Sequence, residues 1–127
     1  MAAGRILLVD DDPPLLKLMR TYLTRLGYEV ISCSTSEGAW QRWTEDSEGI
    51  VLAVVDMTLE GMSGEELARR ILSSSSSVRL IVASGYPVDL SELTSVAPGR
   101  VTFLQKPFSA EALTSAVGGL LNRGATS

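Results

Sequence analysis

The chain has 127 residues, 45% of them apolar and 20% charged, with 11 basic and 15 acidic side chains for a formal net charge of −4. That length favours one domain whose core needs neither disulfides nor structural zinc, and the acidic balance speaks against a surface built for nucleic acid or acidic lipid. With no histidine and a single cysteine, Cys33, Ser-His-Asp and Cys-His catalysis, Cys/His zinc sites and an intramolecular disulfide are excluded.

In chain order, Ile6–Val9 reads as a first strand. A helix follows through Leu15, Leu16, Met19, Leu23 and Leu26, with Asp12 as its cap, Pro13 in its first turn and Gly27 at its close. Tyr28–Ser32 is the second strand, and Ser34-x-x-Glu37 matches a capping box for a helix carrying Ala39, Trp40 and Trp43. Val51–Val55 is the third strand. Ser63-x-x-Glu66 repeats the capping pattern before Leu67, Ala68, Ile71 and Leu72, and the serines from Ser73 to Ser77 read as one surface loop. Arg79–Ala83 is the fourth strand, followed by a weakly amphipathic helix over Val88–Val96 that ends at Ala97-Pro98-Gly99. Val101–Leu104 is the fifth strand, and Ser109 caps a last helix through Ala112, Leu113, Ala116, Val117, Leu120 and Leu121. The expectation is one domain over 1–122 with a tail over 123–127.

Strands alternating with helices indicate βαβ units. Runs apolar at consecutive positions fit strands covered on both faces. The predicted architecture is a three-layer α/β/α fold: a doubly wound, five-stranded parallel sheet of the flavodoxin-like kind, in strand order 2-1-3-4-5. The longest apolar runs are too short to span a bilayer and no signal-peptide core precedes them. A cytoplasmic location, with no membrane and no direct nucleic-acid partner, is expected.

The chain has six aspartates, and four stand at two strand ends: Asp10, Asp11 and Asp12 after the first strand, Asp56 after the third. When the chain reverses direction after its second strand, the first and third strands lie side by side, and their carboxyl ends form one crevice. Carboxylates about 5 Å apart repel by about 3 kcal/mol per pair at an effective dielectric near 20. The cluster therefore calls for a cation. Oxygen ligands without nitrogen or sulfur suit Mg²⁺, with Mn²⁺ as a substitute. Ser84 and Lys106 stand at the ends of the fourth and fifth strands, where a hydroxyl and an ammonium can hold an anionic group beside the metal. Taken singly each has a plainer reading: a solvated loop for the Asp10–Asp12 run, turn chemistry for Asp56 and Ser84, an edge-strand lysine for Lys106.

Four motifs in order, Ile6-Leu7-Leu8-Val9-Asp10-Asp11-Asp12-Pro13, Val54-Val55-Asp56-Met57-Thr58-Leu59-Glu60-Gly61-Met62-Ser63-Gly64, Ala83-Ser84-Gly85-Tyr86 and Lys106-Pro107-Phe108, resemble the receiver domain of two-component response regulators. The likeness covers essentially the whole chain. It implies that Asp56 is the phosphoacceptor, taking a phosphoryl group from a phosphohistidine on a sensor histidine kinase or histidine phosphotransfer protein. It also implies direct Mg²⁺ ligation by Asp11, Asp56 and the backbone carbonyl of Thr58, with Asp10 acting through a metal-bound water. Lys106, Ser84 and the ion would neutralise the phosphoryl oxygens, with Lys106-Pro107 in the cis form. Ser84 and Phe103 would form the switch, and the molecule would be a signalling domain rather than an enzyme, monomeric or weakly dimeric. Three departures stand out: Glu60 where many receivers have proline, Phe103 where tyrosine or another aromatic is more usual, and Gly85-Tyr86, a pattern resembling receivers of hybrid sensor kinases.

Two other classes share parts of this pattern. A flavodoxin-like electron carrier has the same topology, but its phosphate-cradling loop would be replaced here by three repelling aspartates. An aspartyl phosphatase would use Asp10-x-Asp12, yet Pro14 stands where that motif wants threonine. A receiver-like adaptor that binds a partner without being phosphorylated is a third alternative.

Overall fold

The computed structural model describes residues 4–59 and 61–125, with side chains as far as residue 121. Strands β1 (Arg5–Val9), β2 (Glu29–Cys33), β3 (Ile50–Asp56), β4 (Arg79–Ser84) and β5 (Val101–Gln105) alternate with helices α1 (Pro13–Arg25), α2 (Ser36–Glu45), α3 (Gly64–Ser74), α4 (Ser91–Val96) and α5 (Ala110–Ala125). All strand pairings are parallel, in the order β2-β1-β3-β4-β5. The expected doubly wound architecture is the one observed. Glu60, and residues 126 and 127 of the expected tail, lie outside the described residues; α5 extends to Ala125.

The strand alternation divides the core in two. Ile6, Leu8, Leu52, Val54, Ile81 and Leu104 point to the face covered by α1 and α5, where Met19, Leu23, Leu113, Val117 and Leu120 meet them. Leu7, Val9, Ala53, Val55, Leu80 and Val82 point to the opposite face, under α2, α3 and α4. Full burial of each such aliphatic side chain contributes about 1.5–3 kcal/mol. This two-sided demand explains why the central strands are apolar at consecutive positions over Ile6–Val9, Ile50–Val55 and Leu80–Ala83. The edge strands β2 and β5 are only partly covered.

Local chemistry sets most of the boundaries. Asp12 caps α1, accepting the Leu15 N–H at 3.3 Å, with Pro13 in the first turn. Ser63 caps α3 by accepting the Glu66 N–H at 3.1 Å, and Ser109 Oγ accepts the Ala112 N–H at 3.0 Å ahead of α5. The strands differ from the sequence expectation by a residue at one or both ends, and three helix boundaries differ for a visible physical reason. Thr35, not Ser34, caps α2 by accepting the Gly38 N–H at 3.0 Å, which frees Glu37 for a contact outside its own helix. The fourth helix begins at Ser91 rather than Val88, because the Asp89 carboxylate accepts both the N–H and the hydroxyl of Ser91 and holds the preceding residues in a turn. The serine run is not all loop: Ser73 and Ser74 belong to α3, where Ser74 Oγ bonds the Ile71 carbonyl and accepts the Trp43 indole N–H at 2.7 Å.

Arg100, just ahead of β5, ties the end of α3 to the α4–β5 turn. Its guanidinium donates to the carbonyls of Ser75 at 2.8 Å, Val78 at 3.2 Å and Leu72 at 3.2 Å. A cation at a helix C-terminus satisfies carbonyls that the helix itself leaves free.

Candidate phosphoacceptor site

The carboxyl ends of β1, β3, β4 and β5 converge, and each delivers one of the residues singled out in the sequence. Asp10 continues β1 and remains on the sheet ladder through its N–H to the Cys33 carbonyl at 3.1 Å. Asp56 is the last residue of β3 and Ser84 the last of β4. Lys106 follows β5, where its N–H bonds the Ser84 carbonyl at 2.8 Å, and the Lys106-Pro107 peptide is cis.

Asp10 and Asp56 are each 1% exposed and Ser84 is 2% exposed. Buried carboxylates need partners, and here the chain provides them. Lys106 Nζ lies 2.7 Å from Asp10 Oδ2 and 3.5 Å from Asp56 Oδ2. Asp10 Oδ1 accepts the Asp12 N–H at 3.0 Å, so both oxygens of Asp10 are engaged. Asp56 Oδ1 accepts two bonds from Thr58, from its N–H at 3.1 Å and its hydroxyl at 2.9 Å.

Burial pushes the Asp10 carboxyl above its ordinary value, against the opposing pull of Lys106 and the Asp12 N–H. Burial would lower the Lys106 ammonium, but the Asp10 and Asp56 carboxylates outweigh it and hold the group above its usual value. The lysine therefore stays charged throughout the physiological range.

Asp11 is exposed, and one carboxylate oxygen from each of Asp10, Asp11 and Asp56 can be chosen so that all three lie within 4.8 Å of one another. The donor set is oxygen only, which suits a hard divalent cation. Ser84 Oγ accepts the Tyr86 N–H at 3.1 Å, and among the described residues it makes no hydrogen bond to Asp56. Phe103 is partly buried against the α2–α4 face, in register with Val82.

The backbone after Asp56 is shaped by α3. At Gly64, the first residue of α3, a Cβ would overlap the Asp56 carbonyl oxygen and lie 2.7 Å from Met57 Cα. Only a residue without a side chain lets the helix press this closely on the strand end. Two features of the site were not foreseen from the sequence. One is the Thr58 hydroxyl on Asp56, which the sequence reading used only for its carbonyl. The other is the contact of Glu37 with Met62, whose N–H reaches Glu37 Oε2 at 2.7 Å. Sequence neighbourhood to Asp56 was a usable signal for the first; for the second there was none.

Comparison with known proteins points to one family. The C4-dicarboxylate transport transcriptional regulatory protein DctD of Rhizobium meliloti is 31% identical over 112 residues, covering 88% of this chain and 24% of that protein. The chain thus spans about a quarter of the length of this relative. A response regulator receiver domain protein from Clostridium thermocellum superposes with a TM-score of 0.81 at 26% identity, covering 97% of this chain and 98% of the other. The response regulator TrrA of Thermotoga maritima, solved in complex with Mg²⁺ and BeF, gives a TM-score of 0.77 at 26% identity, covering 92% and 98%. The model of the response regulator receiver domain matches residues 6–118, and with the sheet order and the strand-end cluster in agreement, this chain belongs to that family of two-component signalling domains.

Proposed function

We propose that Asp56 accepts a phosphoryl group from a phosphohistidine of a sensor histidine kinase or histidine phosphotransfer protein, and that Ser84 and Phe103 convert the event into a change of surface. The single observation that carries this reading is the buried Asp10–Lys106–Asp56 arrangement at the sheet's carboxyl edge, with Lys106 Nζ 2.7 Å and 3.5 Å from the two carboxylates. An Asp56 carboxylate oxygen attacks phosphorus in line, the P–N bond breaks, and the imidazole, protonated on its other nitrogen, leaves neutral. Such a transfer asks a protein mainly for positioning and charge neutralisation.

Thr58 holds Asp56 Oδ1 through two bonds and so fixes the direction of attack. Lys106 keeps a positive charge beside Asp56 and can turn from Asp10 to a phosphoryl oxygen with little displacement. Asp11, Asp56 and the Thr58 carbonyl would hold Mg²⁺, or Mn²⁺ in its place. Asp10, whose two oxygens are already engaged, would act through water. When bound, the ion would draw charge from the phosphoryl oxygens. Ser84 Oγ accepts the Tyr86 N–H and can donate its own hydrogen to the new oxygens, drawing the following loop with it, and Phe103 follows on the same face of the sheet. No helix among the described residues is long and apolar enough to cross a membrane, which accords with a cytoplasmic partner of a kinase.

Incubation with a small acyl phosphate and Mg²⁺ tests the assignment. Intact mass should rise by one phosphoryl group in the natural chain and remain unchanged in Asp56→Asn. Equal labelling of the variant would overturn the assignment.

A further inference from the structure

Residues 57–59 leave the phosphoacceptor strand and residues 61–63 lead into α3. These described residues are held at three places. Thr58 bonds Asp56 at the start, and Ser63 caps α3 at the end by accepting the Glu66 N–H. The middle tie comes from another helix: Glu37 Oε2 accepts the Met62 N–H at 2.7 Å across 25 residues of sequence.

Glu37 is prepared for this contact. It stands in the first turn of α2, where Thr35 serves as the cap and leaves the Glu37 carboxylate free to reach the loop. The loop in turn is shaped to receive it. Gly61 has φ +75°, and a Cβ there would lie 2.5 Å from Glu37 Oε2 and 3.2 Å from Glu37 Cδ. A side chain at this position would be strained by the backbone and would also displace the carboxylate. The Met62 N–H holds the Glu37 carboxyl below its usual range, so it is ionised at neutral pH and accepts as a charge-assisted partner.

We propose that Glu37 is a positioning residue for the phosphorylation site: through Met62 N–H it fixes the β3–α3 loop and, with it, Thr58 and the Asp56 carboxylate that Thr58 holds. This rests on the reading of Asp56 as a Mg²⁺-dependent phosphoacceptor. Without Glu37 the Met62 N–H turns to water, the loop gains freedom, and the Thr58 carbonyl and Asp56 oxygens spend less time arranged to receive a cation. The loss falls on the affinity for the ion. Once the ion is bound, it restores the arrangement, so the rate at saturating Mg²⁺ is spared.

The test compares the natural chain with Glu37→Ala and Glu37→Gln, by calorimetric titration with Mg²⁺ alone and by the rate of labelling from an acyl phosphate across Mg²⁺ concentrations. Glu37→Ala should weaken Mg²⁺ affinity about three- to tenfold, the worth of one good hydrogen bond, and leave the saturating rate within about twofold. Glu37→Gln should restore the affinity, because its amide oxygen also accepts the Met62 N–H. The restoration separates geometry from charge: a Gln variant as weak as Ala would mean that Glu37 acts only through its field, and would overturn the proposal. An Ala variant that binds Mg²⁺ as tightly as the natural chain would overturn it as well. Failure of the natural chain to be labelled at Asp56 strikes the phosphoacceptor reading, whereas a labelled natural chain with an indifferent Ala variant strikes Glu37 alone.

Discussion

On one face of the sheet α1 and α5 run for 13 and 16 residues, and α1 is capped by Asp12 and buries Met19 and Leu23. On the other face α4 runs for six residues, has no side-chain cap and buries Leu93 alone of its own residues. The functional side chains divide between these faces by strand alternation. Asp10, Asp56 and Lys106 continue the series of Leu8, Val54 and Leu104 on the α1/α5 side, while Ser84 and Phe103 continue that of Val82 and Val101 towards α4. The groups that must hold still are thus built on well-anchored structure, and the pair assigned to respond is built beside the element with the fewest anchors. Regions that open at low free-energy cost are those with few buried contacts.

Replacing residues of the strand-end cluster gives the largest expected effects. Asp11→Ala removes an exposed carboxylate that stabilises no core, and should weaken Mg²⁺ binding by more than about 100-fold, beyond what loss of an outer-sphere partner costs. Labelling should vanish with it. Lys106→Ala should spare metal binding, since it removes a competing cation, while slowing labelling about 100-fold, the scale for losing one preorganised charge-stabilising donor. Calorimetry and intact mass read the two quantities separately. Equal loss of Mg²⁺ affinity in both variants would contradict the division of roles between the carboxylates and the lysine.

A smaller effect compares the two faces directly. Leu8→Ala empties a fully buried site on β1, between β2 and β3 and beneath α1 and α5, so global stability should fall by about 2–5 kcal/mol. Leu93→Ala leaves a hole that a six-residue helix can partly close, and its cost should sit near the lower end, about 2 kcal/mol. Urea denaturation gives both values. Leu93→Ala should also raise amide exchange in α4 beyond its global effect, and a loss spread evenly over the sheet would show that α4 is no more independent than α1.

The fold was legible because its determinants are local. Five apolar runs, an aspartate before a proline and a serine three residues before a glutamate each state their role within a few positions. The strand-end cluster was legible for a related reason: parallel topology carries Asp10, Asp56, Ser84 and Lys106 to one edge whatever the details of packing. What escaped depends on how helices settle against each other. Nothing near Glu37 indicates that its carboxylate meets Met62, and nothing near Arg100 indicates that it reaches three carbonyls at the end of α3. Ser34 and Thr35 are both accepted cap residues, serine the better by propensity, and only the path out of β2 selects Thr35.

The subtlest expectation concerns the responding face itself. In the unphosphorylated arrangement Ser84 Oγ accepts the Tyr86 N–H, and Tyr86 is 72% exposed, so the residue Ser84 holds is not itself anchored in the core. A phosphoryl group on Asp56 offers Ser84 an anionic acceptor that exists in one state only, which is the differential interaction a population shift requires. Ser84 can then turn its hydroxyl hydrogen to the phosphoryl oxygens and draw Gly85 and Tyr86 with it, and α4, six residues long with Leu93 its one buried residue, has few anchors to resist the movement. Hydrogen exchange with and without a beryllium fluoride mimic should therefore differ at residues 84–96 and around Phe103, with little change in α1. Ser84→Ala should reduce that difference while Asp56 is still labelled, because the alanine removes the responding hydroxyl and leaves the carboxylates and Lys106 in place. Changes confined to the strand-end crevice would instead mark a domain that passes its phosphoryl group onward without altering the α4 face.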